Sequence, residues 1–236
     1  MSFLVNTTYR SDAVELMDDF SIGGDLLRDT LDKLDNINKW LGGNQVTLNG
    51  IKKVIKAYPK DKPISILDLG CGSGDMLRRV AAFGIKEGYT FKLIGIDANA
   101  EAIKYAKELS VDYQQISFLK LDIFSDEFKE LEYDVVLTTL FLHHFKEDQL
   151  VELLKQVFDI SSIGIVVNDL HRHSLAYYLF KLLGLVIKND MVKQDGLTSI
   201  LRGFKRRDLQ EISKRLKVES QIQWKWAFRY QWIIKK

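Results

Sequence analysis

The glycine-rich segment after the first long apolar run constrains the fold of this chain more than any other feature. Ile64–Leu69 has the pattern of a buried strand, glycines follow at positions 70, 72 and 74, and a helix-compatible stretch runs from Asp75 to Phe83. Glycine is needed at such a turn because the backbone bends sharply and a ligand can approach it with no Cβ atom in the way. A strand, a glycine turn and a helix in this order predict an α/β fold with a nucleotide-like ligand at the turn.

Acidic residues beside the glycines narrow the choice of ligand. Asp68 stands two residues before the first glycine, and Asp75 occupies the position where a dinucleotide-binding loop would have its third glycine. These carboxylates repel a pyrophosphate but attract an ammonium group, which argues against a dehydrogenase. The G-x-G-x-G spacing together with Asp68 resembles the first motif of class I S-adenosylmethionine-dependent methyltransferases. The resemblance implies that the chain is a methyltransferase with S-adenosyl-L-methionine as its cofactor.

Two further acids stand at the ends of the next predicted strands. The strand from Phe91 to Ile96 leads into Asp97, whose carboxylate can accept hydrogen bonds from both ribose hydroxyls of a nucleoside. The third strand leads into Asp122 and Ile123, and the resemblance implies that these two residues meet the adenine. One such acid could simply cap a helix, but three at the ends of successive strands favour a donor site. The predicted donor-binding residues are Asp68, Gly70, Gly72, Gly74, Asp97, Ala98, Asp122, Ile123 and Thr138.

The pattern of apolar residues divides the chain into two predicted parts. Residues 1–58 form an N-terminal helical cap, in which glycines at 42–43 end the first helix and Thr47 caps the second. Residues 59–236 form the methyltransferase domain, with the only two prolines at its entry.

Strands and helices alternate from residue 64 to residue 168, the pattern of a parallel sheet with helices on both faces. Residues 171–216 are helical in pattern and are predicted to be an insertion after strand 5 that covers the acceptor. We therefore predict a seven-stranded Rossmann-like α/β/α sheet, with strands at 64–69, 91–96, 116–121, 133–139 and 163–168 and two more within 218–235.

Composition and charge fit one α/β domain of 236 residues. Cys71 is the only cysteine and residues 1–20 contain no long apolar block, so we expect a cytoplasmic protein without a signal peptide. Residues 171–236 hold 15 Lys and Arg against 5 Asp and Glu, whereas residues 61–170 hold 11 against 19. Such asymmetry can indicate a nucleic-acid partner, but we expect the basic residues at 202–217 to coat solvent-facing helix surfaces and no nucleic acid to bind.

The four histidines follow the fourth and fifth predicted strands, where the ligands of open α/β sheets bind. A phenol must lose its proton before its oxygen attacks a sulfonium methyl group, and imidazole has a suitable pKa for that task. We expect His171 or His173 to be this base, with His143 and His144 as the next candidates; the alternative is that the adjacent pair is structural. His171 and His173 could share a metal, but no third ligand is evident and no metal is predicted.

The apolar stretch 174–187 is too short to span a bilayer, which takes roughly 20 residues. Beside the histidines it could cover a hydrophobic acceptor, or it could pack on the N-terminal helices or on a second subunit of a homodimer. The segments 15–19, 38–43, 168–178 and 195–204 resemble a bacterial branch of the family that methylates phenolic or quinone-type products. The predicted acceptor is therefore a small hydrophobic aromatic, methylated on oxygen or on an activated ring carbon.

Two other functions stay open. The basic C-terminal third could serve an RNA or protein methyltransferase, although cytosine C5 chemistry needs a cysteine nucleophile and Cys71 lies in the donor loop. The other alternative is a non-catalytic domain that only binds S-adenosylmethionine.

Overall fold

Seven strands form one mixed sheet within residues 5–236, the part of the chain that the computed structural model describes. Residues 1–4, the start of the stretch inspected for a signal peptide, lie outside the described residues. The strands are β1 (Ile64–Leu69), β2 (Phe91–Asp97), β3 (Ile116–Lys120), β4 (Tyr133–Thr139), β5 (Ser161–Leu170), β6 (Ser220–Lys225) and β7 (Arg229–Lys235). Their order is β3-β2-β1-β4-β5-β7-β6, with β1 to β5 parallel and β7 antiparallel to both neighbours. The predicted seven-stranded Rossmann-like fold is confirmed.

Helices cover both faces of this sheet. In the described part of the chain they are α1 (Gly24–Trp40), α2 (Gly43–Val54), α3 (Asp75–Glu87), α4 (Ala100–Leu109), α5 (Asp126–Lys129), α6 (Glu147–Ile160), α7 (Ser174–Leu183), α8 (Asp190–Arg202) and α9 (Arg206–Leu216), with short 3₁₀ turns at Leu16–Asp18 and Leu142–His144. No helix among residues 5–236 is long and apolar enough to cross a membrane.

The order of the strands places a crevice between β1 and β4. The chain runs outward from β1 to β2 and β3 and then returns to β4 on the other side of β1, where Leu69 pairs with Thr138. Ligands of open parallel sheets bind beyond the carboxyl ends of the strands at such a reversal. The glycine segment and the loop that carries His143 and His144 therefore lie at the same edge of the sheet.

Two apolar clusters hold the layers together. On one face, Leu150 and Leu154 of α6 and Leu209 of α9 pack with the side chains of the central strands. On the other face, Ile51 of α2 and Leu77 of α3 pack in a second cluster with β1 and β2, and both are fully buried. Since α2 shares this core, the N-terminal segment is joined to the sheet by apolar packing, and its division from the rest at residue 58 stays a prediction.

The predicted cap of the second helix is wrong. Thr47 lies in the second turn of α2 rather than at its start, and its buried hydroxyl contacts Thr139 Oγ1 at 3.0 Å and accepts a hydrogen bond from Asn168 Nδ2 at 3.0 Å. The helix begins earlier because Gly42 adopts a left-handed conformation, φ +71°, that reverses the chain within one residue. Thr47 therefore links α2 to the carboxyl ends of β4 and β5.

The apolar helix α7 shows most of its surface to solvent. Of its own residues only Ala176 is buried, whereas the exposed fractions of Leu175, Leu179 and Leu182 are 52%, 50% and 63%. The helix packs against α8, where the ring of Phe180 lies over Gly196. Its predicted role in covering an acceptor stays a prediction.

Candidate functional site

The glycine segment forms a tight loop between β1 and α3. Gly70, Gly72 and Gly74 have φ angles of +66°, +50° and +77°, a region that residues with a Cβ atom rarely adopt. A Cβ atom on Gly70 would lie 2.2 Å from the ring of Phe141, so that position admits no side chain. The loop needs glycine for conformation at all three positions and for space at Gly70.

Asp97, at the end of β2, ties this loop to the neighbouring strand. Its Oδ2 accepts the backbone N–H of Gly72 at 3.0 Å, and its Oδ1 accepts that of Asn99 at 2.9 Å. Burial raises the pKa of Asp97, although these hydrogen bonds act in the opposite direction. Each carboxylate oxygen has two lone-pair directions, so each can accept one further hydrogen bond from a ligand.

Asp68 is a buried carboxyl group at the end of β1. Its exposed fraction is 2%, and it makes no hydrogen bond or ion pair with the described residues. Burial, reinforced by the nearby charge of Asp97, raises the pKa of Asp68 to about 8. A ligand cation at this position would relieve both effects.

The other predicted donor residues lie along the same edge of the sheet. Asp122 follows β3, is exposed and accepts the backbone N–H of Phe124 at 2.9 Å, while the next residue, Ile123, is 9% exposed. Ala98 follows Asp97 and is partly exposed. Thr138 on β4 is fully buried, and its hydroxyl has no hydrogen-bond partner among residues 5–236.

Helix α1 lies across the glycine loop, a contact that the sequence did not reveal. Asp35 of α1 accepts a hydrogen bond from the hydroxyl of Ser73, and a Cβ atom on Gly72 would lie 3.2 Å from Leu31. Burial raises the pKa of Asp35 to about 7, an effect that the hydrogen bond from Ser73 opposes. The N-terminal segment therefore contributes directly to the surroundings of the loop.

His143 and His144 have their Nδ1 atoms bound by carboxylates. His143 Nδ1 lies 2.7 Å from Asp169 Oδ1, and His144 Nδ1 lies 2.6 Å from Asp18 Oδ1. The Nε2 atoms of both rings face Glu15, at 3.7 Å from Oε1 and 3.9 Å from Oε2. Because a carboxylate accepts the hydrogen of each Nδ1, each neutral ring has its lone pair on Nε2.

Glu15 is the centre of this cluster. It is 4% exposed, its Oε2 accepts the Ser199 hydroxyl at 2.7 Å, and its Oε1 has no hydrogen-bond partner among the described residues. Burial raises the pKa of Glu15. Glu15, His143 and His144 each offer one atom that could bind a metal ion, and these three atoms lie within 4.8 Å of one another. A cation is already present there, because the Nη1 atom of Arg202 lies 3.6 Å from Glu15 Oε1 and 2.7 Å from Asp18 Oδ2.

His171 and His173 are arranged differently. Trp224 donates its indole N–H to His171 Nδ1 at 3.2 Å, and the backbone N–H of Leu175 donates to His173 Nδ1 at 3.1 Å. In a neutral imidazole whose Nδ1 accepts a hydrogen bond, the ring hydrogen is on Nε2. The one lone pair of each ring is therefore already engaged at Nδ1, and neither ring has a free lone pair to take a proton. Burial, with His173 nearby, lowers the pKa of His171 to about 4.

Comparisons with known proteins agree with this architecture. Residues 66–163, from β1 to β5, match a family model described as a methyltransferase domain. The plantazolicin methyltransferase BpumL, solved in complex with S-adenosylhomocysteine, aligns with 87% of this chain and 89% of its own, with a TM-score of 0.66 and 19% identity. The chain contains a methyltransferase domain. S-adenosyl-L-methionine is the methyl donor of such a domain.

Two curated proteins resemble parts of this chain. The protein-lysine N-methyltransferase EFM4 of Saccharomyces cerevisiae is 38% identical over 87 residues, which are 35% of this chain and 36% of the yeast protein. The putative methyltransferase YqeM of Bacillus subtilis is 31% identical over 109 residues, 45% of this chain and 42% of that protein. The chain thus spans less than half the length of the curated relatives it matches.

The loop residues of the methyltransferase domain fit this donor. Asp68 offers an unpartnered carboxyl group to the ammonium group, and Thr138 offers a buried hydroxyl with no partner in the described part of the chain. Asp97 has lone pairs left for the ribose hydroxyls, and the glycines leave room for close approach. The assignment of individual donor contacts stays a prediction.

Donor binding should release a proton from Asp68. With a pKa of about 8, this group is mostly protonated at pH 7 in the donor-free protein, and the donor's positive charges should lower its pKa and ionise it. Calorimetric titrations at pH 7 in two buffers with different ionisation enthalpies should therefore give release of a large fraction of one proton. The release should fall as the pH rises above 8, where Asp68 is already ionised. Proton release that is unchanged in Asp68→Asn would show that another group titrates.

The sequence did not reveal the partners of the histidines. Asp18 and Glu15 stand far before His144 in the chain, and Asp169 and Arg202 follow it on separate elements. Their only sequence signal is that all four lie in segments that resemble the phenol-methylating branch, 15–19, 168–178 and 195–204.

Proposed function

We propose that the protein transfers the methyl group of S-adenosyl-L-methionine to an oxygen, or to an activated ring carbon, of a small hydrophobic aromatic such as a phenol or quinol. The observation that carries this proposal is the convergence of two imidazole Nε2 atoms on buried Glu15, at the edge of the sheet where the donor loop lies. An aromatic hydroxyl is mostly protonated at pH 7, so a base must take its proton before its oxygen can attack the methyl group of the donor.

We assign the base to His144. Its side chain is 23% exposed, whereas that of His143 is 3% exposed, so a ligand can reach His144. Asp18 holds its Nδ1–H and would stabilise the imidazolium that forms when Nε2 takes a proton. His143 is a positioning residue beneath it.

The proposed step conserves atoms and charge. Bound S-adenosyl-L-methionine supplies a methyl group on a positively charged sulfur. The acceptor hydroxyl gives its proton to His144 Nε2, its oxygen forms the new bond to the methyl carbon, and the carbon–sulfur bond breaks with its electron pair on sulfur. S-adenosylhomocysteine and a methyl ether are the products, and His144 returns its proton to water. Positioning of the two reactants would contribute most of the rate.

A turnover screen with labelled donor tests the proposal. We expect methylation of at least one phenol or quinol with apolar substituents, and binding of S-adenosylhomocysteine that is much tighter than binding of NAD. The rate should not change on addition of a chelator, since the proposal needs no metal. Tight donor binding without turnover on any phenol, quinol, protein or RNA would instead favour a non-catalytic donor-binding domain.

A protein acceptor is the second candidate, because EFM4 is named as a protein-lysine N-methyltransferase and is 38% identical over part of the chain. Against a polyanionic RNA acceptor, three arginines of the basic C-terminal third, Arg172, Arg202 and Arg229, are buried rather than displayed. Lysine peptides and RNA should accordingly be included in the screen. Turnover on lysine peptides with none on phenols would replace the proposal.

We also propose a cytoplasmic location, because the single cysteine, Cys71, is buried in the loop and forms no disulfide. The exposed leucines of α7 support either an acceptor-covering role or contact with a second subunit. Sedimentation of the protein with and without acceptor distinguishes these roles.

A further inference from the structure

Arg229, the first residue of β7, is a buried cation that forms no ion pair with the described residues. It is 3% exposed, and neither Nε nor Nη1 of its guanidinium group has a hydrogen-bond partner among residues 5–236. Burial lowers the pKa of Arg229, whereas the negative charge of Asp169 acts to raise this pKa and so favours the charged form. This carboxylate, however, already accepts hydrogen bonds from the His143 ring and from the backbone N–H of Leu170. Proteins rarely bury an arginine in this state, because a buried charge is costly unless it is paired.

The guanidinium group lies against the N-terminus of α2. A Cβ atom on Gly43, the first residue of that helix, would lie 2.8 Å from Arg229 Cζ and 2.9 Å from Nη2. The preceding residue, Gly42, offers no side chain to cap the helix. The first N–H groups of a helix are unsatisfied and carry the positive end of its dipole. The guanidinium group of Arg229 and the positive end of the α2 dipole therefore lie side by side.

This place adjoins the donor loop. Asn44, in the first turn of α2, donates to Asp75 Oδ2 at 3.1 Å, and Asp75 begins α3 directly after the glycine loop. On the other side, Asn168 of β5 donates to the carbonyl oxygen of Gly43 at 2.9 Å. The region therefore lies between the donor loop and the carboxyl end of β5.

We propose that Arg229 and the N-terminus of α2 form a carboxylate-binding site. A carboxylate fits because the planar guanidinium group can donate two parallel hydrogen bonds to its two oxygens, and helix N–H groups favour the same charge. Two ligands can supply this group: the amino-acid end of the methyl donor, or a carboxylate on the acceptor. The first source rests on the proposed function, and the second does not depend on donor binding.

The variant Arg229→Met separates binding from folding. It removes the charge while keeping an apolar chain of similar length, and we expect its melting temperature without ligand to be no lower than that of the wild type. A structural role for Arg229 predicts a lower melting temperature with unchanged ligand affinities, which would overturn the proposal. If the methionine variant does not fold, Arg229→Lys keeps the charge but loses the two-pronged geometry. Arg215→Met on the exposed face of α9 is the matched control.

The first arm of the test uses S-adenosylhomocysteine and its decarboxylated analogue, 5′-deoxy-5′-(3-aminopropylthio)adenosine. If the donor is the source, the wild type should bind the carboxylate form at least about tenfold more tightly than the analogue, and Arg229→Met should bind both alike. Discrimination that Arg229→Met retains excludes the donor carboxylate as the ligand. Failure of the wild type to bind either nucleoside would count against the proposed function and leave the second arm intact.

The second arm uses benzoate as a probe for an acceptor carboxylate. If the acceptor is the source, benzoate should raise the melting temperature of the wild type in a saturable way, and the shift should be lost in Arg229→Met but kept in Arg215→Met. A site exists if either arm gives its expected result. If Arg229→Met behaves as the wild type in both arms, the proposal is wrong.

Discussion

His144→Asn should lower the rate of methyl transfer at pH 7 by roughly 10²–10⁴, the share that a positioned general base contributes. Asparagine keeps a hydrogen-bonding group near Asp18 but cannot take up the proton of an acceptor. The affinity for S-adenosylhomocysteine should stay within about twofold of the wild type, because no donor contact is assigned to this side chain. Single-turnover rates with labelled donor and calorimetric donor affinities give the two measurements.

The dependence of the rate on acceptor pKa and on pH tests whether the loss in His144→Asn is specific for base catalysis. Acceptors with more acidic hydroxyl groups ionise without help, so the deficit of the variant should shrink as the phenol pKa falls or as the pH rises. The control is Lys146→Ala, which replaces an exposed residue two positions after His144 and should keep the full rate. The sequence-based alternative assigns the base to His171 or His173. A loss confined to the double variant His171→Asn/His173→Asn, with full rate in His144→Asn, would support that alternative.

Asp97→Ala should weaken binding of S-adenosylhomocysteine at least about 100-fold. Two charge-assisted hydrogen bonds to ribose hydroxyls contribute roughly 1.5–3 kcal/mol each, and the variant loses both. The loop should be loosened as well, since the N–H of Gly72 loses its acceptor. Isothermal titration at pH 8 gives the affinity, and the melting temperature without donor reports whether the fold persists.

The controls for Asp97 separate the charge from the support of the loop. Asp97→Asn keeps an oxygen for the Gly72 N–H but has no charge, so its loss of affinity should be intermediate. Asp112→Ala, which removes an exposed acid between α4 and β3, should bind the donor as the wild type does. Equal affinities for Asp97→Ala and the wild type, with normal melting, would place the ribose contact on another residue.

The donor loop could be predicted because its determinants are contiguous in the chain. Backbone conformation at Gly70, Gly72 and Gly74 is a local property, and Asp68 and Asp97 are positioned by the strands that they end. In a parallel sheet all such strand ends meet at one edge, so identifying the strands was enough to group these residues. The sequence could not show that α1 lies on this loop through Asp35, since no local pattern encodes which helix covers which strand end.

The acceptor side depended on tertiary structure. Sequence alone ranked His171 and His173 first because they follow a strand, but a base is defined by which ring nitrogen is free, and that depends on distant partners. Trp224 engages His171 from a different strand, while Asp18 lies 126 residues from His144. Arg229 and Gly43 likewise meet only through the packing of α2 on the sheet.

The sequence by itself thus determined the sheet, the donor loop and the class of ligand that the loop fits, because each depends on neighbouring residues and on strand order. Only the tertiary structure decided which histidines keep a basic nitrogen, which acid faces them and which of the buried arginines forms no ion pair with residues 5–236. These properties depend on hydrogen bonds and burial between segments far apart in the chain, and such contacts leave no periodicity or spacing in the sequence.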